Sequence, residues 1–317
     1  MKEKLLTVRQ DEAGLRLDVM LRARYPKWSL EAVARAVRGG QVRAEGNPLE
    51  PGHILQEGET FSVAAPHLAP THPMPKCPPI VHEDPEIVAF AKPPGMLCHP
   101  VGSTFVWGLI NIARDRFKGE RLHLAHRIDK ETSGVVVLAR NDEINRELKA
   151  AFKMRRVQKR YFAIVRGEVD FEERWVRASI GRDEDSPIRM KMGVVADGLD
   201  AETQLICRKR FGGLSLLECR PTTGRTHQIR VHLDHVGHPI LGDKIYGQDP
   251  EVFLSIWEKN PLPDIEERLG HSRHCLHAAE IVFGLERGEQ RFSAPLAEDM
   301  AQRIGGFSSD SEVGVRL

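Results

Sequence analysis

The chain has 317 residues, 41% of them hydrophobic and 29% charged, with a formal net charge of +1. That size suits roughly two domains of about 150 residues, and that composition fits a globular protein, not a disordered or membrane one. Apolar runs such as Val135 to Ala139 are far too short to cross a bilayer and residues 1–14 lack the apolar core of a secretory signal, so no membrane partner is expected.

In chain order, Leu15, Leu17, Met20 and Leu21 lie on a helix expected to end near Tyr25-Pro26. Ser29 is suited to cap a second helix with Ala32, Val33, Ala36 and Val37 facing inward, and Gly39-Gly40 should stop it. Gln41 to Ala44 and Glu59 to Val63 read as short strands, with a turn at Gly46-Asn47. Residues 64–79 (AAPHLAPTHPMPKCPP) hold six prolines and no periodicity. They predict an extended linker over 65–79 and a boundary between a module at 1–64 and a larger domain at 80–304.

In the larger domain, strands are expected at Ile87 to Ala91, Gly134 to Ala139, Tyr161 to Val165, Asp200 to Cys207 and Leu214 to Cys219. Helices are expected over Thr104 to Phe117, after a cap at Asn141 with Ile144, Leu148, Ala151 and Phe152 inward, and over Thr226 to His235. This irregular alternation predicts an α+β fold rather than a doubly wound α/β one. The Gly- and Ser-rich residues 305–317 read as a disordered tail.

Local charge is more informative than the total. Residues 16–43 carry seven Lys or Arg against Asp18 and Glu31, a net +5, and residues 146–160 carry seven against Glu147, a net +6. Such stretches suit either solvated helix faces or surfaces for an anionic polymer. Cys77, Cys98, Cys207, Cys219 and Cys275 are scattered and form no C-x-x-C pair, which reads as free thiols in a reducing cytoplasm.

Three stretches hold candidate chemistry. His126-Arg127-Ile128-Asp129 precedes the buried strand at Gly134, and a carboxylate beside an arginine can stay ionised there. Alone, the tetrapeptide suits a structural ion pair better than a catalytic site. Thr223 to Leu233 (TGRTHQIRVHL) followed by Gly237 to Gly247 (GHPILGDKIYG) is dense in Arg, His and Gln, suiting a polar site lining or a capped helix start. Lys159-Arg160-Tyr161 offers a tyrosine that could stack on a base, although core packing is the commoner role. His271, His274, Cys275 and His277 have the residue types of a zinc site.

Together these stretches resemble the RluA-type RNA pseudouridine synthases, which modify large-subunit ribosomal RNA and some transfer RNAs. His126 to Gly134 (HRIDKETSG) matches that family's catalytic motif, Lys159 to Gly167 (KRYFAIVRG) its tyrosine motif, and Thr223 to Gly247 its arginine motif. Lys92 to Pro100 (KPPGMLCHP) is similar to its first motif, and Leu276-His277-Ala278 and Ser293 to Leu296 to its closing ones. Residues 15–63 resemble, less closely, an S4-type RNA-binding module.

The resemblance implies a mixed, largely antiparallel sheet with flanking helices and a central RNA cleft. It implies isomerisation of uridine to pseudouridine, in which the N1–C1′ bond breaks and C5 joins C1′. The reaction is redox-neutral, so no cofactor is expected. His277 is absorbed by the closing motif, so no metal is expected either.

The implied roles are Asp129 as the carboxylate that attacks the sugar or assists departure of the base, Arg225 as its ion-pair partner, Tyr161 stacked on a flipped-out base, and Arg127 filling the gap in the RNA stack or holding the phosphate. The expected partner is RNA, ribosomal in preference to transfer, and the expected state a monomer. The rival readings are a non-catalytic RNA-binding or ribosome-assembly factor and a base-releasing glycosylase.

Overall fold

A computed structural model describes residues 4–25, 28, 30–64, 75–99, 107–286 and 288–305. Ser29, the start of the helix expected from Thr104, most of the proline-rich segment and the tail beyond Gly305 lie outside the described residues. The chain divides into two compact units, Met1–Pro75 with His99–Trp107 and Lys76–Cys98 with Gly108–Leu317.

The first unit contains β1 (Lys4–Thr7), α1 (Leu17–Arg24), α2 (Leu30–Arg38), β2 (Val42–Ala44), β3 (Asn47–Pro48) and β4 (Thr60–Val63). Its four strands form an antiparallel sheet in the order β1-β4-β2-β3. Leu17, Met20 and Leu21 of α1 and Val33 and Val37 of α2 recur at helical spacing, and all are buried with Phe61 and Val63 in one core. α2 ends as expected, with Gly40 in the left-handed region at φ 68° donating its N–H to the Val37 carbonyl.

The second unit contains β5 (Ile80–Glu83), β6 (Ile87–Lys92), α3 (Leu109–Arg116), β7 (His123–Leu124), β8 (Ser133–Ala139), α4 (Asp142–Lys153), β9 (Val157–Arg166), β10 (Glu173–Arg177), β11 (Ile180–Arg182) and β12 (Met192–Val194). It continues with β13 (Glu202–Phe211), β14 (Leu214–Pro221), α5 (Gln228–His235), α6 (Pro250–Trp257), α7 (Ile265–Leu269), β15 (Leu276–Leu285), β16 (Gly288–Ser293) and α8 (Glu298–Arg303). Ten of these strands form one sheet, ordered β10-β13-β14-β9-β15-β8-β6-β5, with β16 paired to β15 and β7 to β8. The β15–β8 ladder is parallel and the sheet's other ladders are antiparallel. The expected mixed, largely antiparallel α+β architecture is therefore the observed one.

Helices cover both faces of the sheet's middle, which explains why β8 is apolar from Val135 to Ala139. Val135, Val137 and Ala139 pack with Ile144, Leu148 and Ala151 of α4, whereas Val136 and Leu138 pack with Leu109, Ile110 and Ala113 of α3. Alternate residues of a strand point to opposite faces, so a strand buried on both sides reads as a continuous apolar run. α4 starts where expected, with the Asn141 side chain accepting the Ile144 N–H at 2.9 Å.

The pairing of β15 sets up the site. Ala278 is registered opposite Gly134 of β8 on one side and Tyr161 of β9 on the other. A Cβ on Gly134 would stand 2.1 Å from the Ala278 carbonyl oxygen, and its φ is +118°, so this close parallel approach requires glycine. The loop ahead of β8 and the residues of β9 are thereby drawn to the same end of β15.

Candidate active site

Asp129 sits in the loop between β7 and β8, and side-chain hydrogen bonds hold that region from several directions. The buried Lys92 ammonium donates to the carbonyls of Pro93 at 2.9 Å, Met96 at 2.9 Å and Lys130 at 3.2 Å. Burial lowers the Lys92 pKa to about 8. The Cys98 thiol bridges the Ile128 N–H and C=O at 3.4 Å each. Thr132 hydrogen-bonds His274 at 2.9 Å and Ser133 hydrogen-bonds His277 at 3.0 Å. A loop held by so many contacts fixes the position of its carboxylate.

The partner of Asp129 is Arg230, in the first turn of α5. Its Nη1 donates to Asp129 Oδ2 at 3.1 Å, while its Nε and Nη2 grip both oxygens of Asp243 at 2.7 and 2.8 Å. Asp243 has no solvent-exposed side-chain surface, and it also accepts the N–H groups of Ile245 and Tyr246 at 2.9 and 3.2 Å. The guanidinium further lies over the Tyr246 ring, 4.9 Å from its centroid. Arg230 is thus fixed by Asp243 and presents its remaining edge to Asp129. Burial pushes the Asp129 carboxyl upward, and the Arg230 charge, together with His227, His274 and the Arg230 hydrogen bond, more than offsets this, so the pKa lies below its ordinary value. Asp129 is therefore ionised at neutral pH. Its side chain is 34% exposed, and among the described residues Oδ1 makes no hydrogen bond.

The expected Arg225–Asp129 pair does not form. Arg225 donates from Nε to the Asp200 carbonyl at 3.0 Å, and its own N–H is taken by Gln228 Oε1 at 3.0 Å. The chain turns sharply between Arg225 and Arg230. His227 adopts left-handed backbone angles (φ 57°, ψ 16°) just before the helix, which begins two residues later than Thr226. The turn sends Arg225 towards the residues preceding β13 and brings Arg230 to the carboxylate.

That turn also places His227 beside Asp129. The Tyr246 hydroxyl accepts the Met192 N–H at 3.1 Å, which leaves its own proton for His227 Nδ1 at 3.0 Å. Burial lowers the imidazole pKa to about 4, so the ring is neutral and carries its proton on Nε2. That nitrogen lies 3.9 Å from Asp129 Oδ2. A non-glycine residue held in left-handed conformation is strained, and such strain concentrates at functional sites.

Asp129, Arg127, Tyr161, Arg225, His227 and Arg230 all line one open cavity of about 330 Å³. Burial raises the Tyr161 hydroxyl pKa, so the ring is neutral. Lys159 also borders the cavity; burial lowers its pKa to about 8, and it donates to the Thr223 carbonyl. The geometry brings together all four residues singled out in the sequence and adds Arg230, His227 and Asp243. The LGD carboxylate at Asp243, a polar group in an apolar context, was the available signal for Arg230.

The candidate zinc residues are each otherwise engaged. His271 contacts the Arg273 carbonyl at 2.9 Å, His274 and His277 hold Thr132 and Ser133, and Cys275 is buried. Among the described residues no three His, Cys, Asp or Glu side chains converge on a point that could hold a metal ion.

Residues 86–235 match the model of a family described as RNA pseudouridylate synthase. The chain is 33% identical to ribosomal large subunit pseudouridine synthase D of Xanthomonas campestris pv. campestris, covering 96% of this chain and 92% of that one. It is 31% identical to ribosomal large subunit pseudouridine synthase C of Haemophilus influenzae, covering 94% and 92%. The solved structure of human RNA pseudouridylate synthase domain containing 4 aligns with a TM-score of 0.56 at 25% identity, covering 71% of this chain and 92% of that one. The chain belongs to the RNA pseudouridylate synthase family. It is an isomerase that converts uridine to pseudouridine in RNA.

Proposed function

We propose that this synthase modifies large-subunit ribosomal RNA, with Asp129 as its catalytic carboxylate. The observation that carries the assignment of Asp129 is its pairing with Arg230, which helps keep it ionised where it lines the cavity. In this reading the target uridine leaves its stack at a cost of a few kcal/mol, less in a loop. Tyr161 stacks on the extruded base, Arg230 holds the carboxylate, and Arg127 and Arg225 contact the RNA at the cavity rim. The residues that break and remake the glycosidic bond all come from this chain, and no cofactor takes part. Two relatives named for the ribosomal large subunit, each matched over more than nine-tenths of this chain, favour ribosomal over transfer RNA as substrate.

The first unit, in the same reading, is an S4-like RNA grip, and the enzyme acts as a cytoplasmic monomer. Among the described residues, no helix is long and apolar enough to cross a membrane. Part of the unit's positive charge is spent internally. Arg24 pairs with Glu12, lowering that carboxyl's pKa to about 2, and Arg16 pairs with Asp18 at 2.8 Å. Arg22 and Arg38 at the helix ends are then the better candidates for phosphate contacts.

The test is to map pseudouridines in total RNA from cells with and without the gene. Loss of one or a few large-subunit ribosomal positions is the expected result. Loss confined to transfer RNA would overturn the choice of substrate, and no loss in any RNA would overturn the reading.

A further inference from the structure

We propose that a second, strongly basic cavity beside the catalytic one seats backbone phosphate of the RNA strand flanking the target uridine. The inference rests on the reading of the Asp129 cavity as the uridine site. The second cavity has a volume of about 490 Å³, and Lys159 and Pro221 line both. A strand that delivers a base to the first cavity therefore meets the second across Lys159.

The sequence brings positive charge here from four places. Arg155 lies in the turn between α4 and β9, Lys159 and Arg160 on β9, Arg220 at the end of β14, and Arg291 on β16. The one carboxylate in the lining is Glu280 of β15, which Arg291 approaches at 2.8 Å and Arg160 at 3.6 Å. Five cations against one carboxylate leave an excess of four positive charges on one small concave surface.

The pairing of these cations is also incomplete. Arg160 Nε is buried with no hydrogen-bond partner among the described residues. A buried, unmatched guanidinium N–H is costly unless a ligand completes it. The Arg291 side chain is 58% exposed and that of Arg220 48%, so both are open to solvent despite their carboxylate contacts. Guanidinium groups match phosphate oxygens in two-point hydrogen bonds, and clustered arginines suit a phosphodiester better than a single carboxylate. Part of the net +6 of residues 146–160, ambiguous as sequence, acquires a specific location, because Arg155, Lys159 and Arg160 line this cavity.

The test compares two double variants with the parent. Arg155→Gln with Arg291→Gln removes two exposed cations from the cavity. Arg146→Gln with Lys149→Gln removes two exposed cations from the same basic stretch on α4, outside the cavity lining. Initial rates of pseudouridine formation are measured on RNA from cells lacking the gene, which contains the target whatever it is. Affinity for a labelled single-stranded oligouridylate is measured in parallel at several salt concentrations.

The cavity variant should raise KM about tenfold at near-physiological salt, leave kcat unchanged, and reduce the log–log salt slope by about 0.7 per lost single-strand contact. The α4 variant should stay close to the parent in all three. Unchanged KM and slope in the cavity variant, or equal losses in the α4 variant, would overturn the phosphate seat. A parent inactive on that RNA would instead overturn the reading of the uridine site. The oligouridylate slopes would still decide whether the cavity holds phosphate.

Discussion

Arg230→Gln is the most informative single perturbation, because one guanidinium serves two carboxylates. It grips the fully buried Asp243 at 2.7 and 2.8 Å and reaches Asp129 at 3.1 Å. Removing it strands Asp243, and breaking a buried pair in this way costs about 3–5 kcal/mol. At about 2–4 °C per kcal/mol for domains of this size, the melting temperature should fall by roughly 6–20 °C. Adding Asp243→Asn removes the stranded charge and should recover most of that loss.

The sign with pH follows from the depressed pKa of Asp243. A carboxyl lowered in the folded state stabilises above its unfolded pKa of about 3.9, and that stability is lost as pH falls through the folded value. The stability gap between the parent and Arg230→Gln should thus be largest near neutrality and close in acid. In the double variant Asp129 loses the Arg230 charge and hydrogen bond that oppose burial, so the acid limb of the rate profile should move upward from the parent's. The assay is pseudouridine formation against pH, with thermal unfolding of the same samples. A double variant with the parent's acid limb and kcat would refute the reasoning.

Arg225→Lys should be mild, raising KM a few-fold with kcat kept, because Arg225 contacts the Asp200 carbonyl and not Asp129; steady-state kinetics check this, and severe loss of kcat would restore Arg225 as the carboxylate's partner. Gly134→Ala should destabilise the enzyme strongly, since its Cβ would meet the Ala278 carbonyl at 2.1 Å in a backbone conformation L residues avoid; a melting temperature within 2 °C or so of the parent would contradict the close β8–β15 approach. Arg22→Gln with Arg38→Gln in the first unit should reduce the salt slope of RNA binding by somewhat under one unit per lost contact; an unchanged slope would mean that this face does not touch phosphate.

Much of the fold could be read from periodicity. The apolar run at Val135 to Ala139 gave a buried strand, and Asn141 with Ile144, Leu148 and Ala151 gave α4 and its cap. β15 was less legible, although it lies inside the sheet: His277 and Glu280 interrupt the apolar residues from Leu276 to Leu285, so no clean period separates strand from helix there. β11 and β12, three residues each, are too short to announce themselves. In the site, HRID identified the carboxylate loop, but the choice between Arg225 and Arg230 turned on the left-handed backbone at His227. Local sequence carries little signal for such a residue, because its conformation is stabilised by tertiary contacts such as that with Tyr246.

The most direct test of the Asp129 assignment is the Asp129→Asn variant, assayed for pseudouridine formation on RNA from cells lacking the gene. Asparagine keeps the size of the side chain and removes the charge that Arg230 holds ionised. Its fold should be retained, as judged by circular dichroism and thermal unfolding. The expected result is a folded protein that binds RNA and forms no detectable pseudouridine at any enzyme concentration that saturates the parent reaction. Turnover within a few-fold of the parent would contradict Asp129 as the catalytic carboxylate.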